Sequence, residues 1–175
     1  MTRIPLVNLD EQPEPIREWA ARRGNLNVFR LLANAPAVFS GWTQMVDELF
    51  ASPTFDPRMR EVIILRVAHL QGSAYELGQH VPLARTAGLT EREIETICGS
   101  DTFDGFALGE RTALNVVTEL CRTHRLSDES FASAHTVFGD EAFTELLMIV
   151  SCYYGLALVL NAADLDVDVA ARFKA

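Results

Sequence analysis

The stretch Glu61–His80, EVIILRVAHLQGSAYELGQH, is apolar at helical spacing on both sides of a short break at Gln71-Gly72. Asp56-Pro57 before it pairs an N-cap residue with proline at the first helical position, and Gly88 after it is a natural helix stop. The spacing therefore predicts two helices folded back on each other. On the second, Ser73, Glu76 and His80 stand at i, i+3 and i+7 and share one face. If the pair is an antiparallel hairpin, Glu61 lies about 13 Å back from the break and His80 about 10 Å beyond it, nearly level. Turning Glu61 inward also turns Ile64, Leu65 and Ala68 inward, so its carboxylate faces an apolar seam. A buried carboxylate needs a partner, and His80 is the one within reach.

No segment alternates as a strand would, and helical periodicity runs throughout, so the fold class is all-α. Residues 1–13 form an extended arm. Helices follow over Glu14–Arg23, Leu26–Asn34 and from Pro36 to about Phe50, the last with Val38, Trp42, Met45, Val46 and Leu49 inward. Pro82 lacks the N–H that would bond the Gly78 carbonyl, so the helix is expected to kink or end just after His80. Thr90 and Glu93 form a capping box for a short helix to about Cys98. A longer helix spans roughly Leu108–Thr123, with Ala113, Val116, Val117 and Leu120 inward. Ser127 caps a helix to Phe138, and Gly139-Asp140 leads into the most apolar segment, LLMIVSCYYGLALVL at 146–160. That run falls short of the ~20 apolar residues a membrane span requires, and it predicts a helix buried in a core or at a subunit interface. From Asp164 the acidic tail is expected to fray. We read residues 1–175 as one domain, large enough to bury about 70% of its unfolded surface.

The formal net charge of −9 argues against nucleic acid or an anionic membrane as partner, since both need a basic patch. The three cysteines, Cys98, Cys121 and Cys152, are odd in number and widely spaced, and build neither a metal finger nor a disulfide framework. Buried, inert thiols in a reducing cytoplasm fit them. The N-terminus, MTRIPLVNLDEQPEP, contains no apolar segment of the kind a signal peptide carries.

At Glu61, Ser73, Glu76 and His80 the chain resembles the carboxymuconolactone decarboxylase and alkylhydroperoxidase D superfamily of small all-helical oligomers. Its peroxidases have a Glu and, twelve residues later, Cys-x-x-Cys-x-x-x-His. Both cysteines are replaced here, and Tyr75-Glu76 with His80 looks like the tyrosine–glutamate subgroup nearer the decarboxylase branch. Asn27-Val28-Phe29-Arg30 to Pro36 and Ala87-Gly88-Leu89 also resemble it, so the likeness covers roughly 25–160, between an N-terminal arm and short helix (1–24) and a tail (161–175). The resemblance implies a bundle of seven to nine helices around the central hairpin, assembling as a dimer, trimer or hexamer.

It also implies acid–base chemistry on a small organic acid or lactone: decarboxylation, proton transfer or a related lyase or hydration step. His80 would move the proton, Glu61 and Glu76 would orient it or stabilise imidazolium, Tyr75 would donate to a developing oxyanion, and Ser73 would edge the substrate site. The structural alternative is a buried Glu–His pair that only locks the hairpin, in a non-catalytic ligand-binding or assembly module. A peroxidase mechanism would have lost its thiol. Neither a cofactor nor a metal is expected, although Glu61, Glu76, His80 and His69 are residue types that bind divalent ions.

Overall fold

The computed structural model describes residues 2–168. Among them are a 3₁₀ turn at Leu9–Glu11 and eight α-helices, with no strand: α1 (Glu14–Ala21), α2 (Asn27–Leu32), α3 (Pro36–Ala51), α4 (Pro57–Leu70), α5 (Ala74–Thr86), α6 (Glu91–Gly99), α7 (Leu108–Thr123) and α8 (Asp128–Ala163). They group into two compact units, 52–159 and the residues on either side of that span.

The flanking unit is organised by aromatic side chains. Trp19 of α1 meets Phe29, Phe39 and Trp42 edge-on, with ring centroids 4.9, 5.8 and 6.0 Å away, and its indole N–H donates to Asp47. On α3 it is Phe39 that turns inward, whereas Val38 is 75% exposed. The expectation for Val38 failed because a one-residue shift turns a helical side chain by about 100°, and the large ring takes the core position. The arm and tail are tied down: the Arg3 N–H bonds the Ala163 carbonyl, Asp166 accepts from Thr2, and Asp168 accepts from the Asn27 N–H. Fraying is therefore not seen at 164–168, where Leu165 is also buried; the rest of the tail lies outside the described residues.

In the larger unit α4 is the central rod. Every residue from Arg60 to Ala68 is buried, as α5, α6 and α7 pack around it. Val62 and Leu65 join Ala84, Leu89, Ile94, Ile97, Phe103, Phe106 and Leu114 in one apolar cluster. Burying α4 on all sides also buries Arg66, which is 1% exposed. Its guanidinium donates to the Ile97 and Ser100 carbonyls, Thr118 and Asp101, at 2.8–2.9 Å. One cation thus joins α4 to α7 and to the end of α6. Such a group is tolerated in a core only because its donors are satisfied.

Two glycines close the hairpin's helices. Gly72 (φ +60) and Gly88 (φ +91) take the left-handed conformation that ends α4 and α5. In each case the next residue bonds back across the turn, Ser73 N–H to the Ala68 carbonyl and Leu89 N–H to the Ala84 carbonyl, both 2.9 Å. Of the two outcomes expected at Pro82, the early end does not occur: α5 runs on to Thr86. Ala84, wholly buried in the apolar cluster, and the Gly88 closure hold the segment beyond the proline. At Gly139 (φ +69, ψ −177) α8 is kinked into two helical segments, as Gly139-Asp140 suggested.

By length and composition α8 is apolar enough to cross a bilayer. Half of its most apolar window is buried, and Leu146, Ile149, Val150 and Tyr153 lie on the covered face.

Retaining proline inside α5 sacrifices a backbone hydrogen bond at Gly78. Pro82→Ala should raise stability by about 2 kcal/mol, the helix-interior cost less the entropy proline removes from the unfolded chain. Urea unfolding of the two proteins checks this; an unchanged or lower midpoint would mean the helix is adapted to its proline.

Candidate active site

Each side chain of the site is placed by a local device already visible in the sequence. Asp56 accepts from the Met59 N–H at 2.8 Å and, with Pro57, sets the start of α4 and hence the rotation of Glu61. Ser73, fully buried, caps α5 by accepting from the Glu76 N–H. From that start Glu76 sits in the first turn and His80 one turn later.

The hairpin brings Glu61 level with His80. Glu61 Oε2 is 2.9 Å from His80 Nδ1, and the two side chains are 6% and 11% exposed. With Nδ1–H donating to the carboxylate, Nε2 carries the ring's lone pair. Tyr153 of α8 stands edge-on to the imidazole, centroids 5.1 Å apart and planes at 87°.

Glu76 differs from Glu61. It is 2% exposed, and neither carboxylate oxygen makes a well-formed hydrogen bond. Burial pushes its carboxyl up to about 7, held back only by the Ser73 hydroxyl and the His80 charge. Tyr153 is also driven well above the ordinary phenol range, first by burial, then by the negative charges of Glu61, Cys152 and Glu76, with Arg60 opposing. Its hydroxyl therefore stays protonated. The site holds one carboxylate bonded to imidazole, one carboxyl poised near neutrality, and one phenol.

Tyr75 is buried on the turn that carries Glu76. His69 is not part of the group. Its imidazole is held below the ordinary range by burial and by the Arg66 guanidinium, at the other end of α4 from Glu61. Among the described residues, no three or more His, Cys, Asp or Glu side chains gather as a metal site. Two contributors were not singled out by sequence. Tyr153 was one of several aromatics in an apolar run, and only the chain's return through α8 sets it against His80. Arg60 is buried, donates to the Phe55 carbonyl at 2.6 Å and bears on Tyr153 through its charge. An arginine directly before a buried glutamate was the available signal.

The sequence model of the carboxymuconolactone decarboxylase family matches residues 36–119, which contain α3 to α6, the whole hairpin and most of α7. The likeness to that family covers just under half of the chain and includes the whole Glu61–His80 stretch. In fold it is similar to an uncharacterised peroxidase-related protein with an alkylhydroperoxidase core from Ralstonia eutropha JMP134, with a TM-score of 0.83 at 18% identity over 96% of this chain and 93% of that one. It is also similar to the debrominase Bmp8 in complex with 2,3,4-tribromopyrrole, with a TM-score of 0.78 at 15% identity over 97% and 93% of the two chains. In sequence it is 27% identical over 94 residues to the uncharacterised protein YdfG of Bacillus subtilis (strain 168). That match spans 53% of this chain and 64% of the relative.

The Glu76 carboxyl gives a pH signature to stability. Because the fold favours its protonated form, stability is full below pH 4.5, its ordinary value, and falls as pH rises through about 7. The whole penalty is about 3 kcal/mol. Glu76→Gln removes the ionisation, so the variant should gain about 3 kcal/mol over wild type between pH 4.5 and 8. Parallel stability curves for the two proteins would show that Glu76 does not titrate in this way.

Proposed function

We propose that this protein is a carboxymuconolactone decarboxylase-like enzyme whose Glu61–His80 pair performs acid–base chemistry on a small organic acid or lactone. The observation that carries this reading is the 2.9 Å bond from Glu61 to Nδ1. A carboxylate there fixes the tautomer and stabilises the imidazolium that forms when Nε2 takes a proton. A hairpin lock alone would be served as well by an apolar pair, which avoids the desolvation cost of buried charge. Tyr153 and Tyr75 supply hydroxyl groups near the point where an oxyanion develops, and Ser73 borders it. The reaction is a decarboxylation, a proton transfer or a related lyase or hydration step.

A thiol peroxidase is the competing reading, favoured by the description of the Ralstonia protein as peroxidase-related. It requires a thiolate. Burial raises the Cys98 and Cys121 thiols, which keeps them protonated and weakly nucleophilic. None of the three cysteines falls on the Ser73–His80 motif.

The working form is a homo-oligomer in a reducing, cytoplasmic setting. Met148, Leu158 and Val159 leave an apolar face of α8 uncovered, with Gly155 between them letting a second helix approach closely. A second copy of this chain is the occupant that reading assigns to it.

His80→Ala should lower turnover of small lactones and keto acids at least about 100-fold while preserving the helical circular dichroism. Turnover within a few-fold of wild type would remove His80 from the chemistry. Replacing Cys98, Cys121 and Cys152 together with alanine should leave lactone turnover intact; peroxide consumption lost with them would favour the thiol reading.

A further inference from the structure

Glu61 and Glu76 lie on neighbouring helices of one hairpin, yet their surroundings are opposite. Glu61 is bonded to the imidazole, whereas both oxygens of Glu76 are buried without a well-formed hydrogen bond, the Ser73 hydroxyl lying beside them. A carboxylate left so would carry an uncompensated charge in an apolar wall. A carboxylic acid would not, and it would bring a proton to the turn of α5 just before His80. Where two titratable groups in one site are held in such different environments, one suits the role of base and the other that of acid.

We infer that Glu76 acts as a neutral carboxylic acid that donates its proton to the oxygen of a carbonyl-bearing substrate (a ketone, ester or lactone) while His80 takes a proton from the adjacent carbon. The inference rests on the acid–base reading of the Glu61–His80 pair and deepens it by naming the proton donor and the substrate class. The step balances within the site. The C–H bond electrons become the new C=C bond, the carbonyl π pair forms the O–H bond, and the C–H proton passes to Nε2. Neutral enol, Glu76 carboxylate and imidazolium result. Returning the His80 proton to carbon and the enol proton to Glu76 restores both groups, so no co-reactant is needed. Burial sets the carboxyl near 7, where an acid still loses its proton readily. The groups that bear on it are Ser73 and His80 of its own helix and, through mutual charge, Tyr153 of α8.

Infrared spectroscopy of the whole protein tests this without a known substrate. At about pH 6 wild type should show a protonated-carboxyl band that disappears with a midpoint near 7 and is absent from Glu76→Gln. Excess γ-butyrolactone should shift that band to lower frequency as its carbonyl accepts from Glu76; tetrahydrofuran, the same ring without the carbonyl, should not. In His80→Ala the midpoint should rise, because the imidazolium charge favours the carboxylate, so the band reports Glu76 whatever His80 does in turnover. If Glu76→Gln does not fold, carbon-13 labelling of glutamate carboxyls reads the same titration by NMR in the unaltered chain. Absence of a glutamate titrating near neutrality, or a band indifferent to γ-butyrolactone, overturns the inference while leaving the Glu61–His80 pair untouched. Full turnover in His80→Ala would instead overturn the base.

Discussion

The burial of α4 on every side is the constraint on which the larger unit depends. A helix enclosed by three others has no face on which to keep a charge in water, so each ionisable residue from Arg60 to Ala68 must be satisfied inside the protein. Arg66 is satisfied by carbonyls and hydroxyls at the ends of its neighbours, and serves as a structural rivet. Glu61 is satisfied by His80. The two solutions differ in consequence. An arginine cannot give up its proton, so its network is static; a glutamate bonded to histidine forms a pair whose proton can move.

Glu76 is the exception to that rule of satisfaction, and the exception gives the site its chemical character. Ser73 satisfies its backbone N–H, but its carboxyl oxygens make no well-formed hydrogen bond, and burial favours the neutral form. The same low-polarity surroundings keep Tyr153 protonated.

Local chemistry made much of this legible beforehand. Helix limits at Pro57, Ser73, Thr90 and Ser127 followed from caps and prolines that act within a few residues, and the Gly139 break followed from glycine's freedom at positive φ. The level placement of Glu61 and His80 followed from helical rise alone, given one assumption, that the two helices are antiparallel. Expectations failed where packing competed with a local preference. Pro82 disfavours a continuing helix, but burying Ala84 and closing at Gly88 outweigh the lost bond. Val38 and Phe39 are both apolar, and only the space between α1 and α3 selects the ring.

The sequence by itself determined an all-helical chain, a hairpin broken at Gln71-Gly72, and the pairing of a buried acid with the imidazole at its level, because rise, rotation and capping are properties of short segments. Tertiary structure decided what those groups can do. It brought Tyr153 from α8 against His80, buried the Glu76 carboxyl, and tied Arg66 to α6 and α7, because burial depends on residues far apart in the chain. The surroundings that set a carboxyl's proton affinity are made of such residues.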